Sequence, residues 1–200
     1  WEDAEKMLRQ AIYVQKEIGD YYTLAGSWTN LGLLLLDKGE WDEALFCMEE
    51  AVRILPKHDF PLSMTNTFYI NRGSVYHRLG DLPKAIEDFN MGRKGALDQG
   101  NHDLAALSRI YQAEAIMNQG ELARAEELIL EIESQKPELK EFQAEFHRIH
   151  AYILCKKQAY SGAIHSVCKA QEIIEEIGNQ YELARLLLDE AEIQIAQYRA

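Results

Sequence analysis

Proline is scarce in this chain, with 4 in 200 residues, and glycine accounts for only 12. So few backbone breakers exclude a loop-rich or low-complexity protein. Alternation of polar and apolar residues, the signature of a half-buried strand, is hard to find anywhere, which argues against a sheet. The three cysteines, Cys47, Cys155 and Cys168, form no CxxC pair and are odd in number. That excludes a disulfide scaffold and a zinc ribbon, and they read as reduced packing thiols of a cytoplasmic protein. No apolar run approaches the roughly 20 residues of a membrane span. The leucine-rich stretch Leu31–Leu36 stops at Asp37-Lys38. No basic-then-apolar leader opens the chain, which starts at Trp1 and reads as a piece of a longer protein. Basic residues are in deficit, 21 against 33 acids, for a net charge of −12. A general nucleic-acid surface needs clustered Lys and Arg and is therefore not expected. The acids gather in clusters such as Glu49-Glu50, Glu126-Glu127 and Glu175-Glu176, which read as solvated helix faces.

What is present favours helix: alanine, leucine, glutamate, glutamine and isoleucine dominate. Short turn motifs recur between apolar segments. "DKGEWDEAL" contains Gly39 and Ala44, "RLGDLPKAI" Gly80 and Ala85, and "NQGELARAE" Gly120 and Ala125. "KKQAYSGAI" is read with Ala159 at the glycine place, before Ala163. The alanines fall 41, 40 and 38 residues apart, a period that signals a solenoid. Twelve residues before each stands another small residue, Gly32, Gly73, Ala113 or Ala151. Two antiparallel helices approach closely only where one presents a small side chain to the other. The glycine between them has no Cβ and can close the first helix in a left-handed conformation.

These residues resemble the tetratricopeptide repeat pattern, W-x2-L-G-x2-Y followed by A-x3-F, A and P. One copy reads Trp28, Leu31, Gly32, Leu35, Ala44, Met48, Ala51, Pro56, and the next Tyr69, Gly73, Tyr76, Ala85, Phe89. Two weaker copies follow, Ala113, Ile116, Ala125, Ile129, Pro137 and Ala151, Leu154, Ala163, Val167, Ala170. The resemblance implies an all-α, right-handed solenoid of antiparallel helix pairs with about ten helices. It predicts one domain over 1–200, with an incomplete repeat at 1–19, full repeats near 23–62, 63–103, 104–140 and 141–179, and an incomplete repeat at 180–200. The period of about 40 exceeds the family's usual 34, and the extra residues sit at junctions between units. Two junction types alternate. One is Gly19-Asp20, Gly100-Asn101 and Gly178-Asn179; the other uses proline, at Pro56 to Pro61 and at Pro137. The unpartnered end helices are expected to expose apolar stripes, Met7 and Ile12 at one end and Leu186 and Ile193 at the other, and to drive weak self-association.

Chemistry-bearing constellations are few. His147, His150, Cys155, His165 and Cys168 form the densest set of metal-type ligands, but no HExxH or closed tetrahedral spacing is present, and packing is the better reading. Cys168 and His165 share a helix face without an orienting third group. Gly92 and Gly95 read as helix-end capping residues rather than a phosphate loop. No catalytic residue, metal or cofactor is assigned.

In the family the first helices of successive repeats line a concave groove. Counting from each small residue, the resemblance implies a surface of Asn30, Leu33, Asn71, Ser74, Arg78, Tyr111, Met117, Arg148, Tyr152 and Lys156. Asn30 and Asn71 stand at equivalent places and could bond a peptide main chain. Arg78, Arg148 and Lys156 would favour an acidic or phosphorylated stretch. The carboxylate clamp of chaperone-binding relatives is not matched: of Thr29, Leu33, Asn71, Leu107 and Tyr111, only Asn71 agrees with it. The expected function is a protein-protein interaction module for a peptide, a partner protein or another domain of the same full-length chain. The alternative is the sensory or regulatory region of a multidomain signalling protein or transcription regulator that holds a signal peptide.

Overall fold

The computed structural model describes all residues except 56, 57, 59, 136 and 137, with side chains left out also at 62, 63 and 133–135. The described residues form ten α-helices in two compact units, Trp1–Gly100 and Asn101–Ala200. Unit 1 holds α1 (Glu2–Ile18), α2 (Tyr21–Lys38), α3 (Trp41–Ile54), α4 (Leu62–Leu79) and α5 (Leu82–Asp98). Unit 2 holds α6 (His102–Asn118), α7 (Leu122–Gln135), α8 (Lys140–Lys156), α9 (Tyr160–Ile177) and α10 (Gln180–Arg199). The pairs α2–α3, α4–α5, α6–α7 and α8–α9 carry the main packing, and first helices also touch within a unit: α2 meets α4, α6 meets α8, and α8 meets α10.

The repeat alanines Ala44, Ala85, Ala125 and Ala163 are all fully buried. Their small partners are needed for close approach. A Cβ added to Gly32 would come within 2.8 Å of Met48 Cε, and one on Gly73 within 2.8 Å of the Phe89 ring. Met48 and Phe89 occupy the same repeat place, so each second helix pushes a bulky side chain into the notch left by the glycine opposite. Gly92 and Gly95 belong to the same logic and correct the capping expectation. Both lie inside α5, where an added Cβ would run into Ile70 and into the Asn66 amide of α4. Arg72 of α4 ties the pair further, donating from Nε and Nη2 to the two carboxylate oxygens of buried Asp88 at 2.7 and 2.8 Å.

Helix ends follow local chemistry. Gly39, Gly80 and Gly120 turn left-handed, with φ of 81°, 81° and 90°. In the fourth copy the left-handed residue is Gln158, with φ 62°, and not Ala159 as the sequence alignment expected. Gln158 stands five residues before Ala163, as Gly39 does before Ala44, so the motif was one residue out of register. The junctions at Gly19, Gly100 and Gly178 share one design: a left-handed glycine followed by an Asx side chain that accepts the N–H three residues on. Pro61 precedes α4 in the other junction type, while Pro56 and Pro137 lie outside the described residues.

The end helices correct another expectation. Met7 is 71% exposed, but Ile12, Leu186 and Ile193 are buried. Ile12 packs with Leu24 and Leu31 in the core of unit 1, and Leu186 and Ile193 with Ala163, Val167 and Ala170 in unit 2. Each end helix therefore turns its strongest apolar stripe toward the neighbour it has. The exposed apolar residues lie on other faces: Tyr13, Val14 and Ile18 on α1, and Leu187, Leu188 and Ile195 on α10.

Candidate functional site

In unit 1 the expected binding residues lie on α2 and α4. Asn30, Leu33 and Arg78 are exposed, and Asn71 and Ser74 are half-buried. The Ser74 hydroxyl donates to the Ile70 carbonyl of its own helix at 3.1 Å and keeps its oxygen lone pairs as acceptors. The side-chain amides of Asn30 and Asn71 make no hydrogen bond to any other described residue, and Arg78 makes no ion pair with one. Two equivalent amides and one guanidinium thus stand unengaged on neighbouring first helices.

The depth of each position follows from helix geometry. The residues five places after the small residue, Asp37, Arg78, Asn118 and Lys156, are all exposed. Those four places after it, Leu36, His77, Met117 and Cys155, are half-buried or buried. One residue rotates a side chain by about 100° on a 3.6-residue helix, enough to carry it from the open face into the packing. This corrects Met117, which was expected to form a surface pocket and is only 4% exposed. Asn118 takes the outer position in its place.

Unit 2 departs from expectation more sharply at Arg148. Its guanidinium is 11% exposed and is already engaged. Nε and Nη2 donate to Glu145 of the same helix at 2.9 and 2.6 Å, and Nη2 reaches Glu114 of α6 at 3.4 Å. Arg185 of α10 donates to the same Glu145 at 2.9 Å and pairs with Glu182 at 2.8 Å. The Tyr152 hydroxyl donates to Asp189 of α10 at 2.7 Å. Burial acts to raise the Glu145 carboxyl, but the two guanidiniums outweigh it and hold it below the usual carboxylate range. Burial, together with the Asp189 carboxylate that its hydroxyl meets, raises the Tyr152 phenol well above its ordinary value. Arg148 therefore cross-links α6 and α8, and is not the free anchor for an acidic ligand that counting positions implied.

Tyr111 is half-buried, and burial raises its phenol. It lines a cleft of about 250 Å³ in unit 2 together with Leu107, Phe142, Glu145, Arg185 and Leu186. Lys156 is exposed and makes no ion pair among the described residues. Sequence reasoning missed Glu145, Arg185 and Asp189. Two of these lie on α10, beyond the four full repeats over which positions were counted. Glu145 stands six residues before its small residue, outside the positions sampled. Among the described residues no group of three or more His, Cys, Asp or Glu side chains could hold a metal ion, and no helix is long and apolar enough to cross a membrane. His147 is half-buried with no partner for Nδ1 among the described residues, and burial pushes it down to about 4, as fits a packed imidazole.

Two family profiles, each described as a tetratricopeptide repeat, match residues 25–58 and 67–90. No curated protein matches the sequence. Among solved structures, the fold resembles the apo form of the quorum sensor NprR from B. thuringiensis, with a TM-score of 0.73 at 16% identity, over 96% of this chain and 55% of that one. It also resembles BtubC (BKLC) from P. vanneervenii, with a TM-score of 0.68 at 15% identity, over 98% of this chain and 80% of that one. A Rap protein complexed with competence and sporulation factor gives 0.67 at 14% identity, over 98% of this chain and 59% of that one. The chain spans little more than half of the NprR and Rap chains.

Proposed function

We propose that this chain, in which residues 25–58 and 67–90 match tetratricopeptide repeat profiles, is a protein-protein interaction module whose first helices bind an extended peptide segment. The observation that carries this reading is the pair Asn30 and Asn71. They sit one repeat apart on α2 and α4, and neither amide is engaged by another described residue. Asparagine is a poor helix former, and its return at the same place fits amides that donate to one peptide carbonyl and accept from one peptide N–H. Leu33 adds an apolar contact beside Asn30. Arg78 supplies the charged anchor in unit 1, for a carboxylate or phosphate on the ligand. In unit 2, Tyr111, Tyr152 and Lys156 belong to the same reading. Arg148 contributes there as a brace that fixes Tyr152, whose ring its guanidinium overlies at 5.8 Å. The reading assigns no catalytic group, cofactor or metal, and places the module in the cytoplasm without contact to nucleic acid or membrane.

A second reading makes the region the sensory part of a longer signalling protein. It rests on the likeness to NprR, described as a quorum sensor, and to a Rap protein complexed with competence and sporulation factor, and on the chain's spanning only part of each. Both readings use the same residues and differ in whether the ligand is a short signal peptide or a segment of a protein.

The test is selection of peptides from a random 16-residue library on the immobilised chain, followed by calorimetric titration of the best binder. Asn71→Ala should weaken binding by about 1–2 kcal/mol, the scale of a lost buried hydrogen bond. Unchanged affinity, with the melting temperature preserved, would remove the amide ladder from the account.

A further inference from the structure

At the start of α2, unit 1 has an aromatic corner whose residues this reading does not use. It lies where α2 begins and the segment after α3 passes. Four rings meet there, Tyr21 and Tyr22 from the first turn of α2, and His58 and Phe60 from the connection before α4. Tyr21 stacks on His58 with centroids 4.1 Å apart and planes 18° from parallel. Tyr22 and Phe60 lie 7° from parallel with centroids 5.9 Å apart. His58 and Phe60 stand at 82° to each other. Two stacks, each nearly parallel within itself, thus form two walls that meet at a right angle.

The walls border a hollow of about 280 Å³ whose remaining described lining is Gly19 and Asp20. Asp20 brings the one carboxylate among the described lining residues, and no Lys or Arg is among them. Its oxygens accept the Thr23 hydroxyl at 2.7 Å and the Thr23 N–H at 3.2 Å, which fixes the group at the floor. The same two bonds hold its carboxyl below the usual range, so it is ionised at neutral pH. Phe60 packs against the core of unit 1, edge-on to Phe68, but Tyr21 and Tyr22 remain 41% and 54% exposed. Aromatic faces are negative in their quadrupole, and two perpendicular faces beside a carboxylate attract a cation from three directions. A strongly hydrated ammonium keeps its water, whereas a methylated one presents apolar methyl groups that the rings can cover.

We propose that the corner formed by Tyr21, Tyr22, His58 and Phe60 over Asp20 is a binding site for a methylated ammonium group. The group comes either from a free quaternary amine or from a methylated lysine of a partner protein. None of its residues is assigned to the peptide, so it stands whether or not Asn30 and Asn71 bind one.

The test compares choline with 3,3-dimethylbutan-1-ol, its uncharged carbon isostere, by following the ring proton resonances of Tyr21, Tyr22, His58 and Phe60 in NMR titrations of the full chain. Choline should shift these resonances and bind at least about tenfold more tightly than the isostere, a gap of roughly 1.4 kcal/mol. Asp20→Asn keeps the helix cap, since asparagine caps as well as aspartate, and should weaken choline several-fold without moving the melting temperature. Phe60→Ala should abolish the ring shifts. A peptide carrying trimethyllysine, run beside its unmethylated form, identifies the source. Tighter binding of the methylated peptide than of choline assigns the site to a protein side chain, and equal binding assigns it to a free amine. Equal binding of choline and the isostere would reduce the corner to an apolar crevice and overturn the proposal. So would the absence of shifts at these four rings in the unaltered chain.

Discussion

Arg148 and Glu145 stand one turn apart on α8 and share two hydrogen bonds, at 2.9 and 2.6 Å, in a position where neither reaches solvent freely. A second guanidinium, Arg185, arrives at the same carboxylate from α10. Arg148→Met keeps the volume but leaves Glu145 with one partner. Breaking a buried pair costs about 3–5 kcal/mol, and Arg185 should hold the loss near the lower figure. The sign of the pH effect follows from the lowered Glu145 carboxyl. In the unaltered protein this group contributes stability above its unfolded value, near 4.5, and loses it as pH falls through the lower folded value. In Arg148→Met burial is less opposed, so protonation relieves the defect. Thermal melts at pH 7 and pH 4.5 should show the variant's deficit shrinking on acidification. A deficit that stays constant would mean that Arg148 acts by packing alone.

Gly32 and Gly73 are equivalent in sequence but not in tolerance. An added methyl at Gly32 meets the Met48 methyl at 2.8 Å, the far end of a flexible chain, and the Ala44 carbonyl and Cys47 Cβ, both at 3.3 Å. One at Gly73 meets two carbons of the Phe89 ring, at 2.8 and 2.9 Å, and the Ala85 carbonyl at 3.2 Å. Gly→Ala gains about 1 kcal/mol of helix propensity at either site. Both variants should lose stability by overpacking, Gly73→Ala by roughly 1–3 kcal/mol and Gly32→Ala by less, because the Met48 methyl can move aside where the Phe89 ring cannot. Urea denaturation of the two variants, compared at equal m-value, decides this.

Gln158 holds a left-handed conformation with φ 62°. An L residue there costs about 1 kcal/mol that glycine avoids, even after allowing for glycine's greater freedom in the unfolded chain. Gln158→Gly should raise stability by up to about 1 kcal/mol, whereas Gly39→Ala and Gly80→Ala should each lower it by a similar amount. Calorimetric melting of the three variants would reveal any reversal of sign.

Much of this fold was legible because its signals are local. The alanines at 44, 85, 125 and 163 and the small residues twelve places before them mark each helix pair, and the structure buries all eight. Less legible were the features that need two helices at once. Gly92 and Gly95 look like caps until α4 is laid against them. Arg148 looks like a groove cation until Glu114 and Arg185 arrive from α6 and α10. Met117 differs from its expected place by a single step of rotation, and the polar Asn118 beside it marks the outer position. Ile12, Leu186 and Ile193 were assigned outward on the assumption that an end helix spends its best apolar stripe on a missing neighbour. The fold assigns that stripe to the neighbour present.

The exposed residues of α1 give the self-association expectation a different footing. Met7 and Ile18 are 71% and 70% exposed, with Tyr13 and Val14 close by. Contiguous apolar surface of this kind favours weak association. Light scattering should show the apparent mass rising with concentration, and Met7→Glu with Ile18→Glu should abolish the rise. A strictly monomeric protein at millimolar concentration would contradict this.

The most direct measurement of the binding account is the affinity of a library-selected peptide for the unaltered chain, for the double variant Asn30→Ala/Asn71→Ala, and for Glu87→Ala, which removes an exposed acid of α5. All three must keep the same helicity and melting temperature. If the unengaged amides of α2 and α4 hold the peptide main chain, the double variant should bind at least about tenfold more weakly, a loss of roughly 1.4 kcal/mol or more, while Glu87→Ala binds as the unaltered chain does. Undiminished binding by the double variant, together with loss in Glu87→Ala, would place the ligand on the outer surface and contradict the account.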